Sequence, residues 1–230
     1  MRKALLILAG FMLIVNVLHS QDSKYSAAEV YPLGVGLFVA GKASVNTLDS
    51  PDGVKNGYVF NSIPDLGLQV YVPFGTENNL GATIDFAYLN HQYMFKLYGN
   101  EDVNWRDELA FFTISPNIHI SGFFIGMNFG FPLAAKSGNE NDENDYYNYD
   151  YDKDNLNGLI DFHLGGLIPV YADEFGRLNL YIQAEYTMNK LFSKDLQTKH
   201  LTDNTQNFNI QPAGLKFGLS YIINTGLMQK

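Results

Sequence analysis

Seven ionisable side chains recur at alternate positions within stretches of apolar and polar residues: Lys42, Asp85, His119, Asp161, His163, Glu185 and Lys216. Carboxylates, imidazoles and ammonium groups that share one face can form a buried ion-pair network. They can also line a narrow permeation path or hold a small polar ligand. In a confined space charges must be paired and hydrogen-bonded, because each unpaired one costs several kcal/mol. The expectation is therefore a structural network filling an interior.

Two other groupings invite chemistry. Asp150, Asp152 and Asp154, with Asp161 at the twelfth position, follow the oxygen-ligand spacing of a Ca2+ loop. Asn155 stands where that loop needs its turn glycine, and Asp161 belongs to a strand-like stretch. A solvated acidic loop with weak affinity for divalent ions is the expectation. His119-Ile120-Ser121 sets a base and a hydroxyl two residues apart on one strand face. No acidic partner follows from spacing, so the chain is read as non-enzymatic. Gly34-x-Gly36 lies inside a strand and opens no helix, so neither a nucleotide nor another cofactor is indicated.

The elements that would position these groups have a period of two. In 178–188, Leu178, Leu180, Ile182, Ala184, Tyr186 and Met188 take one face, and Asn179, Tyr181, Gln183, Glu185 and Thr187 the other. Eight such stretches occur, at 31–43, 64–74, 80–92, 109–120, 123–133, 159–171, 178–188 and 210–223. Each matches the roughly 9–11 tilted residues that cross a bilayer core. Breaks in the alternation are expected at Gly165-Gly166 and near Gln211-Pro212, where bulges and bends are favoured.

The connections alternate in length. Those at 75–79, 121–122 and 172–177 are short; those at 44–63, 93–108, 134–158 and 190–209 are long. Tight turns at one end and long loops at the other describe an antiparallel up-and-down barrel with both termini on the short-turn side. The face opposite the apolar one carries the charged residues and several glycines, including Gly34, Gly36, Gly126, Gly130 and Gly218. Such a face suits a narrow interior better than a solvated exterior, so the apolar face is assigned to lipid.

Arg2 and Lys3 followed by the apolar run 4–18 read as a secretory signal peptide, residues 1–20, leaving 21–230 as one barrel domain. The chain holds no Cys, which excludes a disulfide scaffold, a thiolate metal site and a lipid-anchoring cysteine. Its formal charge of −9 falls to −11 without Arg2 and Lys3. An acidic exported chain is a poor partner for nucleic acid.

The chain resembles the small eight-stranded outer-membrane proteins, the OmpA/OmpX type of barrel without a periplasmic domain. Its last strand, Gly214-Leu215-Lys216-Phe217-Gly218-Leu219-Ser220-Tyr221, is similar to the alternating aromatic terminal strand read by that family's assembly machinery. The resemblance implies an eight-stranded transmembrane β-barrel in a bacterial outer membrane, monomeric, with periplasmic termini and long extracellular loops. A membrane-structural or surface-interaction role is expected. Its partners are outer-membrane lipid, lipopolysaccharide phosphates bridged through the acidic loop 136–157, and extracellular molecules met by that loop's tyrosines. A small-solute or ion channel, a lipid-modifying outer-membrane enzyme and a secreted lipocalin-like barrel remain as alternatives.

Overall fold

The computed structural model describes residues 33–74, 80–97, 100–139, 155–172, 175–197 and 206–225. Among these residues the chain forms β1 (Gly34–Asn46), β2 (Val54–Gly57), β3 (Val59–Phe60), β4 (Asp65–Pro73), β5 (Leu80–Leu97), β6 (Asn100–Ile120), β7 (Phe123–Asn139), β8 (Leu159–Ala172), β9 (Gly176–Thr187), β10 (Leu196–Gln197), β11 (Asn207–Phe208) and β12 (Pro212–Asn224). No described helix is long and apolar enough to cross a membrane.

Eight of these strands close a barrel. Each of β1, β4, β5, β6, β7, β8, β9 and β12 pairs antiparallel with the next, and β12 returns to β1. The closing seam is long and regular, from Gly34 opposite Asn224 to Asn46 opposite Pro212. All eight sequence-expected stretches are found within this all-β, up-and-down barrel. Closure satisfies the backbone groups that an open edge would leave bare.

The period of two becomes inside and outside. Along β1, Phe38, Ala40 and Lys42 are buried in the interior, while Val35, Leu37 and Val39 are exposed on the exterior. The same outward apolar face runs through Ile84 and Phe86 on β5, Ile118 and Ile120 on β6, Ile125, Phe129 and Phe131 on β7, and Leu215, Phe217 and Leu219 on β12. At about 3.3 Å per residue and a tilt near 40°, the stretch 123–133 of β7 rises roughly 25 Å, the height of a bilayer-facing band.

Three of the expected long loops contain, or run into, extra strand. β5 and β6 continue through most of 93–108, β7 extends to Asn139, and β2 and β3 occupy part of 44–63. The fourth, 190–209, carries the short β10–β11 pair. The reason lies in a change of phase. On β5 the apolar residues lie outside up to Tyr88, and beyond it Leu89, Tyr93 and Phe95 point inside and are buried. On β6, Trp105, Leu109 and Phe111 are likewise buried, whereas Phe112 is exposed. A strand whose apolar face changes sides loses its single-phase alternation, so the periodicity ends there although the strand does not.

The outward polar residues of this collar are covered by 61–62. Ser62 N–H donates to Gln92 Oε1 at 3.1 Å, Gln92 Nε2 donates to Ser62 Oγ at 2.9 Å, and Asn61 Nδ2 donates to the Asn90 carbonyl. Asn209 pins the loop segment 190–195 to the barrel. Its side chain accepts from Phe192 N–H at 3.1 Å and donates to the Phe192 carbonyl at 3.0 Å and to Asp195 Oδ1 at 2.9 Å. That last bond, aided by Lys190 at 3.4 Å, holds the exposed Asp195 carboxyl below the usual range.

The expected bulge at Gly165-Gly166 is absent. The β8–β9 ladder runs through both glycines and shifts instead between Pro169 and Tyr171, where proline has no N–H to donate. At the other expected break, β12 simply starts on Pro212, a position a strand tolerates. The 121–122 turn is as tight as expected. Ser121 at φ 49° and Gly122 at φ 84° make the two-residue turn between Ile120 and Phe123, both in the left-handed region that matches hairpin twist.

Candidate functional site

At the centre of the barrel Lys42 on β1 lies directly opposite Lys216 on β12. Two like charges so placed repel one another. The arrangement persists because two carboxylates each hold both lysines. Asp65 Oδ2 is 3.2 Å from Lys42 Nζ and 3.0 Å from Lys216 Nζ, and Glu185 contacts the same two nitrogens at 3.2 and 2.8 Å. All four side chains are closed off from solvent. Asp65 is further fixed by the Asn90 N–H, which donates to its Oδ1 at 2.9 Å.

On the short-turn side of this ring a polar web continues. Asn117 Nδ2 donates to Asp85 Oδ2 at 3.0 Å and to Thr83 Oγ1 at 2.8 Å, and Gln69 Nε2 approaches Asp85 at 3.4 Å. His163 Nε2 bonds Asn117 Oδ1, Ser220 donates to Gln69, and His119 Nε2 pairs with Thr83 Oγ1 at 3.1 Å. Aromatic rings close this end. Tyr181 stacks on Phe38 and Phe124 at 5.3 and 5.6 Å, Phe124 lies 5.3 Å from His119, and the Arg177 guanidinium sits 4.6 Å over Tyr71.

The rings fit because their neighbours lack side chains. A Cβ on Gly67 would stand 2.5 Å from Phe38 Cζ. At Gly126 it would stand 2.5 Å from the Pro116 carbonyl and collide with Asn117 Oδ1. Because that carbonyl is backbone within β6 and cannot swing away, Gly126→Ala is expected to destabilise the barrel by about 1–3 kcal/mol. A urea titration of the refolded protein in lipid vesicles measures it.

At the opposite end the buried interior is mostly apolar, with Asp107 accepting a hydrogen bond from Ser137 within it. Leu89, Tyr93, Phe95, Leu109, Leu156, Leu191, Phe192, Phe208 and Ile210 belong to the buried hydrophobic cluster and cap the polar ring at this end. The interior is thus filled at three levels: aromatic, charged and apolar.

The sequence-expected residues fall into distinct roles. Lys42, Lys216 and Glu185 meet in the ring; Asp85, His119 and His163 belong to the web; Asp161 accepts from Asn128 Nδ2 at 3.2 Å on the neighbouring wall. Asp161 is wholly buried in β8 and points inward, so it cannot serve as the twelfth ligand of an external Ca2+ loop. Asp150, Asp152 and Asp154 lie outside the described residues, as do residues 1–20. His119 turns to Thr83 inside the barrel, whereas Ser121 is exposed in the turn. Sequence reasoning missed Asp65 and His91. Both fall on the polar phase of their stretches, Asp65 with Gln69 and His91 with Asp85, and that phase could have found them.

The strand pairing and this interior define an antiparallel eight-stranded up-and-down β-barrel, apolar outside and filled inside. Among solved structures it is similar to small outer-membrane barrels. With Neisserial surface protein A it shares 10% identity over 84% of this chain and 96% of that one, at a TM-score of 0.39. With outer membrane protein OprG of Pseudomonas aeruginosa the values are 12%, 84%, 97% and 0.36, and with Ail of Yersinia pestis 12%, 82%, 98% and 0.34. No protein-family model and no curated protein matches the chain.

Proposed function

We propose that this chain is an integral, monomeric barrel of a bacterial outer membrane, with periplasmic termini and a membrane-structural or surface-interaction role. The reading rests on the change of phase along β5 and β6. Apolar side chains face outward over one band and inward beyond it, as expected for a wall that leaves lipid and enters water. A soluble barrel with an apolar ligand cavity has no reason to invert. The long connections then lie on the extracellular side. The acidic stretch 136–157 and its tyrosines offer contacts to lipopolysaccharide-bound cations and to extracellular partners.

The filled interior favours a closed barrel over a channel, since both the charged ring and the apolar cap obstruct the axis. The expected result is fractionation with outer membranes and a mobility shift on heating in dodecyl sulfate gels, with no steady conductance in planar bilayers. Extraction without detergent would overturn the membrane assignment. A reproducible unitary conductance would overturn the closed interior and support a channel.

A further inference from the structure

His91 of β5 is 1% exposed, and neither of its ring nitrogens has a hydrogen-bond partner. Each nitrogen instead looks at a carboxylate: Nε2 at Asp161 Oδ2, 3.7 Å away, and Nδ1 at Glu185 Oε1, 3.9 Å away. These gaps are too long for hydrogen bonds. Only one ring nitrogen can bind a given ion, so one of these gaps at most lies within a site. Either approaches the separation of two atoms that share a cation, since ligands about 2.1 Å from one ion at a tetrahedral angle lie about 3.4 Å apart. One nitrogen of His91 and one oxygen each of Asp161 and Glu185 all lie within 4.8 Å of one another.

The free valences point the same way. Glu185 Oε2 is taken by Lys216 at 2.8 Å and Gln183 at 3.2 Å, whereas Oε1 makes no hydrogen bond, ion-pairs with Lys42 at 3.2 Å and also faces His91. The hydroxyl of Tyr93, two residues further along the same face of β5, is buried and also lacks a partner. Charge supplies an independent reason. Among the described residues the buried carboxylates are Asp65, Asp85, Asp107, Asp161 and Glu185, and the buried cations are Lys42, Arg177 and Lys216. Five against three leaves two carboxylates without a cation to match them, and in an enclosed interior that difference must be met by bound protons or by a bound cation.

We propose that His91, Asp161 and Glu185 bind one divalent transition-metal cation, of which Zn2+ is the type, enclosed in the barrel beside the lysine ring. An imidazole nitrogen with two carboxylate oxygens suits such an ion better than Ca2+, which takes oxygen ligands. Among the described residues the apolar cap and the aromatic layer enclose the site, so the ion enters as the barrel folds and remains after washing. Its two charges balance the interior. It is distinct from any weak binding by Asp150, Asp152 and Asp154 of the acidic loop.

The test refolds the full chain into detergent micelles with Zn2+, removes loose metal over a chelating resin, and counts bound metal by elemental mass spectrometry. The wild type and the His163→Gln and Asp150→Asn/Asp152→Asn/Asp154→Asn variants are expected to retain about one Zn2+ per chain. His91→Gln and Asp161→Asn should retain at least tenfold less, and Ca2+ should not substitute. A wild type that retains no metal, or a His91→Gln barrel that retains as much as wild type, overturns the proposal; in the first case protons on the carboxylates supply the balance. Should His91→Gln fail to fold, X-ray absorption at the zinc edge of the wild type decides. Imidazole scattering supports the site, and a shell of oxygen alone overturns it.

Discussion

Glu185→Ala, measured in metal-free buffer, is expected to cost the barrel about 3–5 kcal/mol, enough to abolish its heat-resistant form at growth temperature. The substitution leaves Lys42 and Lys216 opposed across the closing seam with only Asp65 between them. The loss is a penalty for stranded charge and does not measure the net worth of the ring. A second variant separates the two. Lys42→Met, Lys216→Met, Glu185→Met and Asp65→Asn together remove the charges, while the asparagine keeps an acceptor for the Asn90 N–H. This fourfold variant should be about as stable as the wild type, or more so, because well-packed apolar side chains commonly match a buried ion network. Urea unfolding in lipid vesicles compares the three. A fourfold variant as crippled as Glu185→Ala would show that the ring contributes net stability.

The second large effect is on the outer wall. Leu219 is 47% exposed in the middle of β12, flanked by Val39 on β1 and Leu180 on β9. In a bilayer, Leu219→Arg at this depth is expected to cost about 2–4 kcal/mol, whereas Tyr58→Arg, between β2 and β3 and beyond the band, should cost about 0–1 kcal/mol. On a water-facing surface neither substitution matters and Leu219→Arg should improve solubility. Equal stability of the two variants in vesicles therefore counts against a lipid-facing wall.

How much of this was legible beforehand depends on the physics that wrote each segment. Strands such as 178–188 face lipid on one side and the interior on the other along their whole length, so one period describes them completely. The up-and-down order and the tight Ser121-Gly122 turn followed from the same alternation. The collar was not legible, because around Leu89 and Phe111 the apolar phase crosses the sheet and a one-phase template stops matching. The proline-centred irregularity on β8 escaped for a related reason. Gly165 and Gly166 look like a break, yet the ladder continues through both, and the missing side chain of Gly165 makes room for the Phe124 ring. In the interior, polar phase named most of the ring and web residues. It could not say that Asp65 would stand between two lysines, since that depends on the register of β1 against both β4 and β12.

The seam between β1 and β12 joins the two ends of the chain in time as well as in space. Thr225 Oγ1 donates to the Leu33 carbonyl at 2.7 Å, a bond between residues 192 positions apart. Until the last strand has been made, β1 has no partner on one side and Lys42 lacks both Lys216 and Glu185 beside it. Contacts of such long range form late and slowly. Closure brings the two lysines together only where Asp65 and Glu185 already stand ready, so a slipped register would leave them repelling. The charged ring therefore acts as a latch that checks alignment at the moment the cylinder shuts, and a truncated chain never engages it.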